Sequence, residues 1–382
     1  MEKTTLLKLK MPSSQRLIYL DYNSSAPLGK GVKEAICSAL DHVGNPSSVH
    51  QSGKKAKAVI NKTREILSDY LDVPSQNLIF TSGGTESNAL ALRGIDADVF
   101  FVSAIEHASV LQTAQHHPNS GFQKIPVNSQ GIVDLEALTS LLKSADGKKV
   151  LVSVMMANNE SGVIEPISEI RKIVHAYGAL MHVDAAQALG KIPISREDLK
   201  VDLMSFSGHK IGAPMGVGAL YVREGLSFRG LYEGGGQERR FRSGTENVSG
   251  IAGFGKAVEN IDFSKWEAIK SHRLFLESTL REKFSDLFIA SDRVSRLPNT
   301  TLMSRPSLPS STQVIQLDLE GICVSSGASC SSGVVKSFSV LKAMGVSQEI
   351  VSSVIRVSLG PETGREDIER FMTVYSHIQG KS

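Results

Sequence analysis

Two side chains near the middle of the chain have the types and positions that carbonyl chemistry on a bound ring requires. Asp184 lies in MHVDAAQALGK (181–191), where an apolar run meets its following loop, and Lys210 lies in VDLMSFSGHKIGAP (201–214), just past the next apolar run. A carboxylate so placed can keep a pyridine nitrogen protonated and make the ring an electron sink, while a shielded lysine gives up its proton readily enough to form a Schiff base. Upstream, TSGGTESNALAL (81–92) sets two glycines and several hydroxyl residues between a predicted strand and a helix start. Backbone N–H groups and the positive helix end favour an anion there. No Gly-Lys-Ser/Thr follows, so this is not a Walker loop. Each of the three is ordinary by itself, a strand-end Asp, a solvated Lys and a glycine turn. Together they suit pyridoxal phosphate.

Further candidates lie along the chain. EHASV places His107 just after an apolar run, where an imidazole can stack on an aromatic cofactor or move protons near neutral pH. His42, His116, His117 and His377 read as structural or surface residues. Of the three cysteines, Cys37 falls on a helical face and Cys323 at the start of a short strand, whereas Cys330 sits among small residues in VSSGASCSSG and can serve as a nucleophile. Thr245 in RSGTEN and Arg356 in SVIRVSLG could meet a phosphate and a carboxylate.

The elements that must position these residues are legible as a rhythm. Short apolar runs at 78–80, 99–102, 150–155, 180–183, 203–206 and 218–222 alternate with helical patterns, which predicts a mostly parallel sheet covered by helices. Ile167, Ile170, Ile173 and Val174 form one apolar stripe of a crossover helix over 166–177. Past Gly250 a long charged helix with Trp266, Ile269, Phe275 and Leu280 leads to short strands near 287–290, 300–303 and 313–317, the pattern of a smaller α+β unit. The stretch SRPSLPSS (304–311) reads as a surface loop. The expected organisation is an N-terminal arm, 1–30, packing with the small domain; a large cofactor-binding domain, 31–255; and a small C-terminal domain, 256–382.

Composition limits the classes available. The chain has 382 residues, 41% hydrophobic and 21% charged, enough apolar surface for sizeable cores. With 42 Lys+Arg against 39 Asp+Glu and no long basic run, neither nucleic acid nor an anionic membrane is the expected partner. Three unevenly spaced cysteines form no disulfide framework and no CxxC metal pair. No metal is expected. The N-terminal residues lack an apolar run of signal length, and no stretch is long and apolar enough to cross a bilayer. A soluble, cytoplasmic protein is the expectation.

In order along the chain stand YLDYNSSAP, GNPSSVHQSG, FTSGGTES, EHASV, NNESGV, HVDAAQ, DLMSFSGHK, GGGQERRFRSGTENV and SSGASCSSG. With Arg356, this series resembles the cysteine desulfurases of NifS/IscS type, within the class V aminotransferases, almost end to end. The resemblance implies the fold type I of pyridoxal-phosphate-dependent transferases, with a large α/β domain and a smaller α+β one. It implies that Lys210 forms the Schiff base with pyridoxal 5'-phosphate, Asp184 pairs with the pyridinium nitrogen, His107 stacks on the ring and Gln187 bonds the phenolic oxygen. Gly84, Thr85, Ser207 and His209 would hold the phosphate, with Thr245 contributed from the second subunit of a homodimer. Asn159 would lie near cofactor and substrate, and Arg356 would bind the substrate carboxylate. L-cysteine would lose its α-proton to Lys210, and Cys330 would take the sulfur as a persulfide while alanine leaves, His107 assisting as acid or base.

An acceptor protein, either an iron–sulfur scaffold or a thiolation enzyme, would receive the sulfur. Ser24, Ser25 and Ala26 stand where the family has Ala-Thr-Thr, and Gly84 replaces a frequent alanine; neither change removes a needed group. The chain stops at Ser382 without the C-terminal extension that many IscS-type members use for scaffold docking. The residues around Cys330 follow the longer-loop group, implying independent activity. Competing readings are a selenocysteine lyase, a class V aminotransferase, and a sulfur-relay or assembly protein without turnover.

Overall fold

The computed structural model describes residues 16–380 apart from 196–197, 307 and 327–338. Its centre is a seven-stranded sheet in the order Leu78–Thr81, Gly218–Val222, Leu203–Ser207, Leu180–Asp184, Val150–Ser153, Val99–Ser103, Gly121–Ile125. Every pairing is parallel except the two made by Gly218–Val222. Successive residues of a strand point to opposite faces, and both faces are covered. Val99, Phe101, Val150, Val152, Met204 and Phe206 pack into one core, while Phe100, Val102, Leu151 and Leu203 pack into another. Burial on both sides is why these strands are continuous apolar runs rather than alternating ones. The helix Ile167–Ala176 buries Ile167, Ile170 and Val174, as its stripe predicts.

Gly121–Ile125 was not anticipated. It is an edge strand with a largely exposed sequence, GFQKI, paired only on its Val99–Ser103 side, so it carries no apolar run to betray it. A second departure lies in the C-terminal third. Thr300–Ser304 pairs antiparallel with Val354–Ser358 and with Phe288–Ile289, but residues 313–317 belong to the helix Ser310–Leu319 rather than a strand. Gln313 and Leu317, four apart, are buried, and Ile315 faces solvent. The period is therefore helical although the composition is strand-like. The loop expected at 304–311 is shorter, because Ser304 ends a strand and Ser310 begins this helix.

The N-terminal arm is tied to this region. Ile18–Tyr19 pairs in parallel with Ile322–Cys323, and the N–H of Tyr22 donates to Ser358 O at 3.1 Å. Ile18 and Leu20 join the core formed by the helices Phe263–Lys283 and Arg365–Gly380. Among the described residues, no helix is long and apolar enough to cross a membrane.

The outer edge of Leu78–Thr81 is satisfied by side chains instead of another strand. Arg64, from the helix Gln51–Leu71, donates to Leu78 O, and Glu238 accepts from the N–H of Phe80 at 2.8 Å. Arg64 and Glu238 form a two-pronged pair, Nη1 to Oε2 at 2.8 Å and Nη2 to Oε1 at 2.5 Å, with both side chains almost fully buried. Arg239 also donates to Leu78 O. Glu238, Arg239 and Arg240 all have positive φ, 42°, 57° and 68°, a conformation costing roughly 1–2 kcal/mol per L-residue. The ion pair holds this strained turn against the sheet. Replacing Glu238 by Gln leaves a buried guanidinium without its counter-charge. Urea denaturation is expected to show a loss of about 3–5 kcal/mol.

Candidate active site

In parallel sheets the loops after the strands open at one edge, where ligands bind. Here that edge collects the helix start at Gly84 after Leu78–Thr81, His107 after Val99–Ser103, Asn159 after Val150–Ser153, Asp184 itself, and Ser207 to Lys210. The strand Gly218–Val222 runs the other way, so Gly218 begins at this edge opposite both Thr81 and Ser207. A Cβ on Gly218 would lie 2.6 Å from Phe206 O and 2.7 Å from Gly83 Cα. Only glycine lets the three segments close together there.

The helix Gly84–Arg93 has no side-chain cap; its N-cap is Gly83, at a φ of 148°. Its first N–H groups precede any intrahelical bond and point out of the helix end. Ser207 is buried against it, since a Cβ built on Gly84 would lie 3.2 Å from Ser207 Cβ. Thr85 is exposed at the second helical position. His209 makes a 3.3 Å contact with Ser25 Oγ, and burial, with the charges of Lys210 and Lys191 adding, lowers its pKa to about 4. These groups bring together donors with the chemistry of a phosphate site.

Next to these donors stand Asp184, His107 and Lys210. Asp184 is buried, accepts from Ala186 N–H at 2.9 Å and from Asn88 Nδ2 at 2.7 Å, and is thereby fixed in direction. Asn88 donates in turn to Ser109 Oγ at 2.9 Å. His107 caps the helix Ala108–Gln115, its Nδ1 accepting from the Ser109 N–H at 3.1 Å. The ring remains exposed at the edge. Desolvation and the Lys210 charge lower its pKa against the opposing pull of Asp184, which favours a neutral imidazole. Lys210 Nζ donates to the carbonyls of Asn23 and Ser24, each at 2.7 Å. Burial foremost, then Arg356, lowers its pKa to about 8, although Asp21 and Asp184 pull upward. A lysine so poised can act as a nucleophile near neutral pH.

Arg356 and Asn159 meet through the backbone. Arg356, on the strand Val354–Ser358, donates from Nη1 to Asn159 O at 2.8 Å and from Nη2 to Asp21 at 2.6 Å and Ser24 Oγ at 2.8 Å. Its Nε is buried without a partner among the described residues. Glu160 beside it is not its counter-charge, because burial pushes that carboxyl up to about 8. Gln187 is buried and donates to Asn23 O at 2.9 Å. Thr245 is exposed on the segment that follows the strained turn, and the bonds described above do not include it. Cys330 lies outside the described residues.

Four residues of the site escaped the sequence reading: Asp21, Asn23, Asn88 and Lys191. Asn23 accepts from Lys210, Gln187, Lys191 and Asn299 and donates to Thr300 Oγ1 at 2.8 Å. Asn88 and Asp21 lie inside the quoted strings TSGGTESNALAL and YLDYNSSAP, and Lys191 ends MHVDAAQALGK. The available signal was a polar residue within a motif, with no spacing to say what it meets.

The donor set fits pyridoxal phosphate: an uncapped helix end for the phosphate, a fixed carboxylate for the ring nitrogen, an exposed neutral imidazole for the ring face, and an amine of lowered pKa. The profile described as Aminotransferase class-V matches residues 18–371. A protein of Dictyoglomus turgidum named cysteine desulfurase IscS is 38% identical over 376 residues, covering 95% of each chain. A solved NifS-like protein from Rickettsia africae is 41% identical, with a TM-score of 0.87 over 95% of this chain and 99% of that one. Another solved structure described as a NifS-like protein is 35% identical, with a TM-score of 0.89 over 96% and 100%. The chain belongs to the class-V aminotransferase family of pyridoxal-phosphate-dependent enzymes, in the same group as these relatives.

Proposed function

We propose that this protein is a cysteine desulfurase that releases alanine from L-cysteine and keeps the sulfur as a persulfide on Cys330 for an acceptor protein. The carrying observation is the Lys210 amine, lowered to about pH 8 and sharing one edge with Asp184 and His107. The names and full-length coverage of the relatives support the choice of substrate.

Gly84, Thr85, Ser207 and His209 would hold the phosphate, Asp184 the ring nitrogen, His107 the ring face and Gln187 the phenolic oxygen, with Thr245 supplied by a second copy of the chain. When bound, the cofactor supplies an electron sink for the pair left by a departing α-proton. Lys210 Nζ takes that proton and later returns one. Arg356 receives the substrate carboxylate through its unpartnered Nε and by exchange with Asp21. Asn159 stays in place because Arg356 and Asn23 hold its carbonyl. The Cys330 thiolate attacks the substrate sulfur, so that the S–S bond forms as the carbon–sulfur bond breaks and its electron pair stays with the three-carbon fragment, which takes up a proton and leaves as alanine; His107, neutral at its lowered pKa, handles the thiol proton. The same proposal takes 31–255 as the cofactor-holding domain, 256–382 as the small domain carrying Cys330 and 1–30 as the arm. It assigns the protein to the cytoplasm and to a homodimer.

Lys210 is protonated below its pKa and nucleophilic above it. Aldehyde labelling of the cofactor-free protein, followed by peptide mapping, is therefore expected to rise at Lys210 with a midpoint near pH 8, while exposed lysines respond only about two units higher. For turnover, the protein loaded with pyridoxal phosphate is given L-cysteine, and alanine and the mass of the Cys330 peptide are followed. One added sulfur atom with alanine release is expected. Lys210→Ala should cut the rate at least about a hundredfold, and Cys330→Ser should end alanine release while the cofactor stays bound. Alanine released undiminished by Cys330→Ser, or a keto acid in place of alanine, would overturn the reading in favour of a lyase or a transaminase.

A further inference from the structure

Lys191 is a buried amine that the reaction above does not use. It is 2% exposed, and burial, with Lys210 and Arg356 adding, drives its pKa well below that of a free lysine. Its Nζ donates to two amide oxygens, Asn23 Oδ1 at 2.9 Å and Gln187 Oε1. The orientation of both amides follows from their other partners. Asn23 Nδ2 faces the carbonyl of Asn159, which can only accept. Gln187 Nε2 faces the carbonyl of Asn23, which can only accept. Lys191 must therefore be the donor to Gln187 Oε1. Asn23 O also receives Lys210 Nζ at 2.7 Å, so Gln187 Nε2 and the reactive amine converge on one atom. Nε2 keeps a second N–H to donate.

We propose that Lys191 is a positioning residue. It fixes the Gln187 amide with its oxygen inward, so that an N–H faces the ring oxygen of the cofactor next to the carbon that Lys210 engages. This inference rests on the cofactor reading above. Without Lys191, Oε1 is a buried acceptor lacking its donor, a state costly enough to withdraw the amide. The ring oxygen then loses its hydrogen bond.

The probe is pyridoxal phosphate itself, and the readout is the pH midpoint of the visible absorbance of the loaded protein without substrate. A donor on the ring oxygen stabilises the more negative, deprotonated chromophore, so its loss moves the midpoint upward. Lys191→Met and Gln187→Ala are each expected to raise it by about half to one pH unit, the worth of a single hydrogen bond. The double variant should match Gln187→Ala alone, because Lys191 acts through Gln187. A folded, loaded Lys191→Met protein with the wild-type midpoint overturns the proposal. So does an equal further shift in the Gln187→Ala background, which would mean that Lys191 acts on the chromophore directly. Should the Met variant not accumulate as folded protein, Lys191→Leu removes the donor with a different apolar side chain. A midpoint raised toward that of Gln187→Ala then supports the proposal, and an unchanged one overturns it. A wild-type protein that takes up no cofactor would instead defeat the functional reading, and the two failures are distinct.

Discussion

Asn23 is where the two cores of this protein are fastened across the site. It is 1% exposed, and each of its polar groups is bonded. Its N–H donates to Ser358 Oγ, its carbonyl accepts from Gln187 and Lys210, its Oδ1 accepts from Lys191 and Asn299, and its Nδ2 donates to Thr300 Oγ1 and Asn159 O. Gln187, Lys191 and Lys210 belong to the edge of the large sheet, whereas Thr300 and Ser358 belong to the antiparallel sheet and Asn299 directly precedes it. A residue in an arm with little core of its own thus sets the distance between the amine and the strand that carries Arg356. Buried polar networks of this kind specify one arrangement because any partner left unmade costs its full desolvation.

Basic groups crowd the same edge. His107, Lys191, His209, Lys210 and Arg356 gather around it, and each of the two histidines and two lysines has its proton affinity lowered, by desolvation first and by positive neighbours next. Two further carboxyls nearby, Glu106 and Glu160, do not offset this, since burial raises both above the usual carboxylate range. A site built so favours ligands that bring their own anions. On the proposed function, a phosphate at the helix end and a carboxylate at Arg356 would relieve that crowding of donors.

The sequence shows the large sheet well because strands buried on both faces have nowhere to put polar residues; Val99–Ser103 and Leu203–Ser207 are apolar runs for that reason. It shows the edge strand Gly121–Ile125 poorly, since a strand that borders solvent needs no such run. It misleads at 313–317, where β-branched residues suggest a strand while the burial of Gln313 and Leu317 follows a helix. The site divides similarly. Asp184, His107 and Lys210 are visible because chemically distinctive residues stand at strand ends. Asn23 and Lys191 are not, because their partners lie far along the chain, and an amide or a lysine in a loop acquires meaning only from what it touches.

Lys210 illustrates how the arm and the sheet act on one atom. Its acceptors are backbone carbonyls, Asn23 O and Ser24 O, so no substitution at those positions removes them directly; only a shift of the arm can. Two carbonyl acceptors favour the ammonium, while desolvation and the Arg356 guanidinium favour the free amine, and the balance falls near pH 8. Asp21 enters on both sides. It raises the proton affinity of Lys210 through space and neutralises Arg356 through a 2.6 Å bond. A substrate carboxylate arriving at Arg356 would repeat that second effect, weakening the cation's pull on the amine. Binding at the arginine and the proton affinity of the lysine are therefore linked through the arm. That linkage is why its residues 21–24, which contribute little to either core, bear so directly on the site.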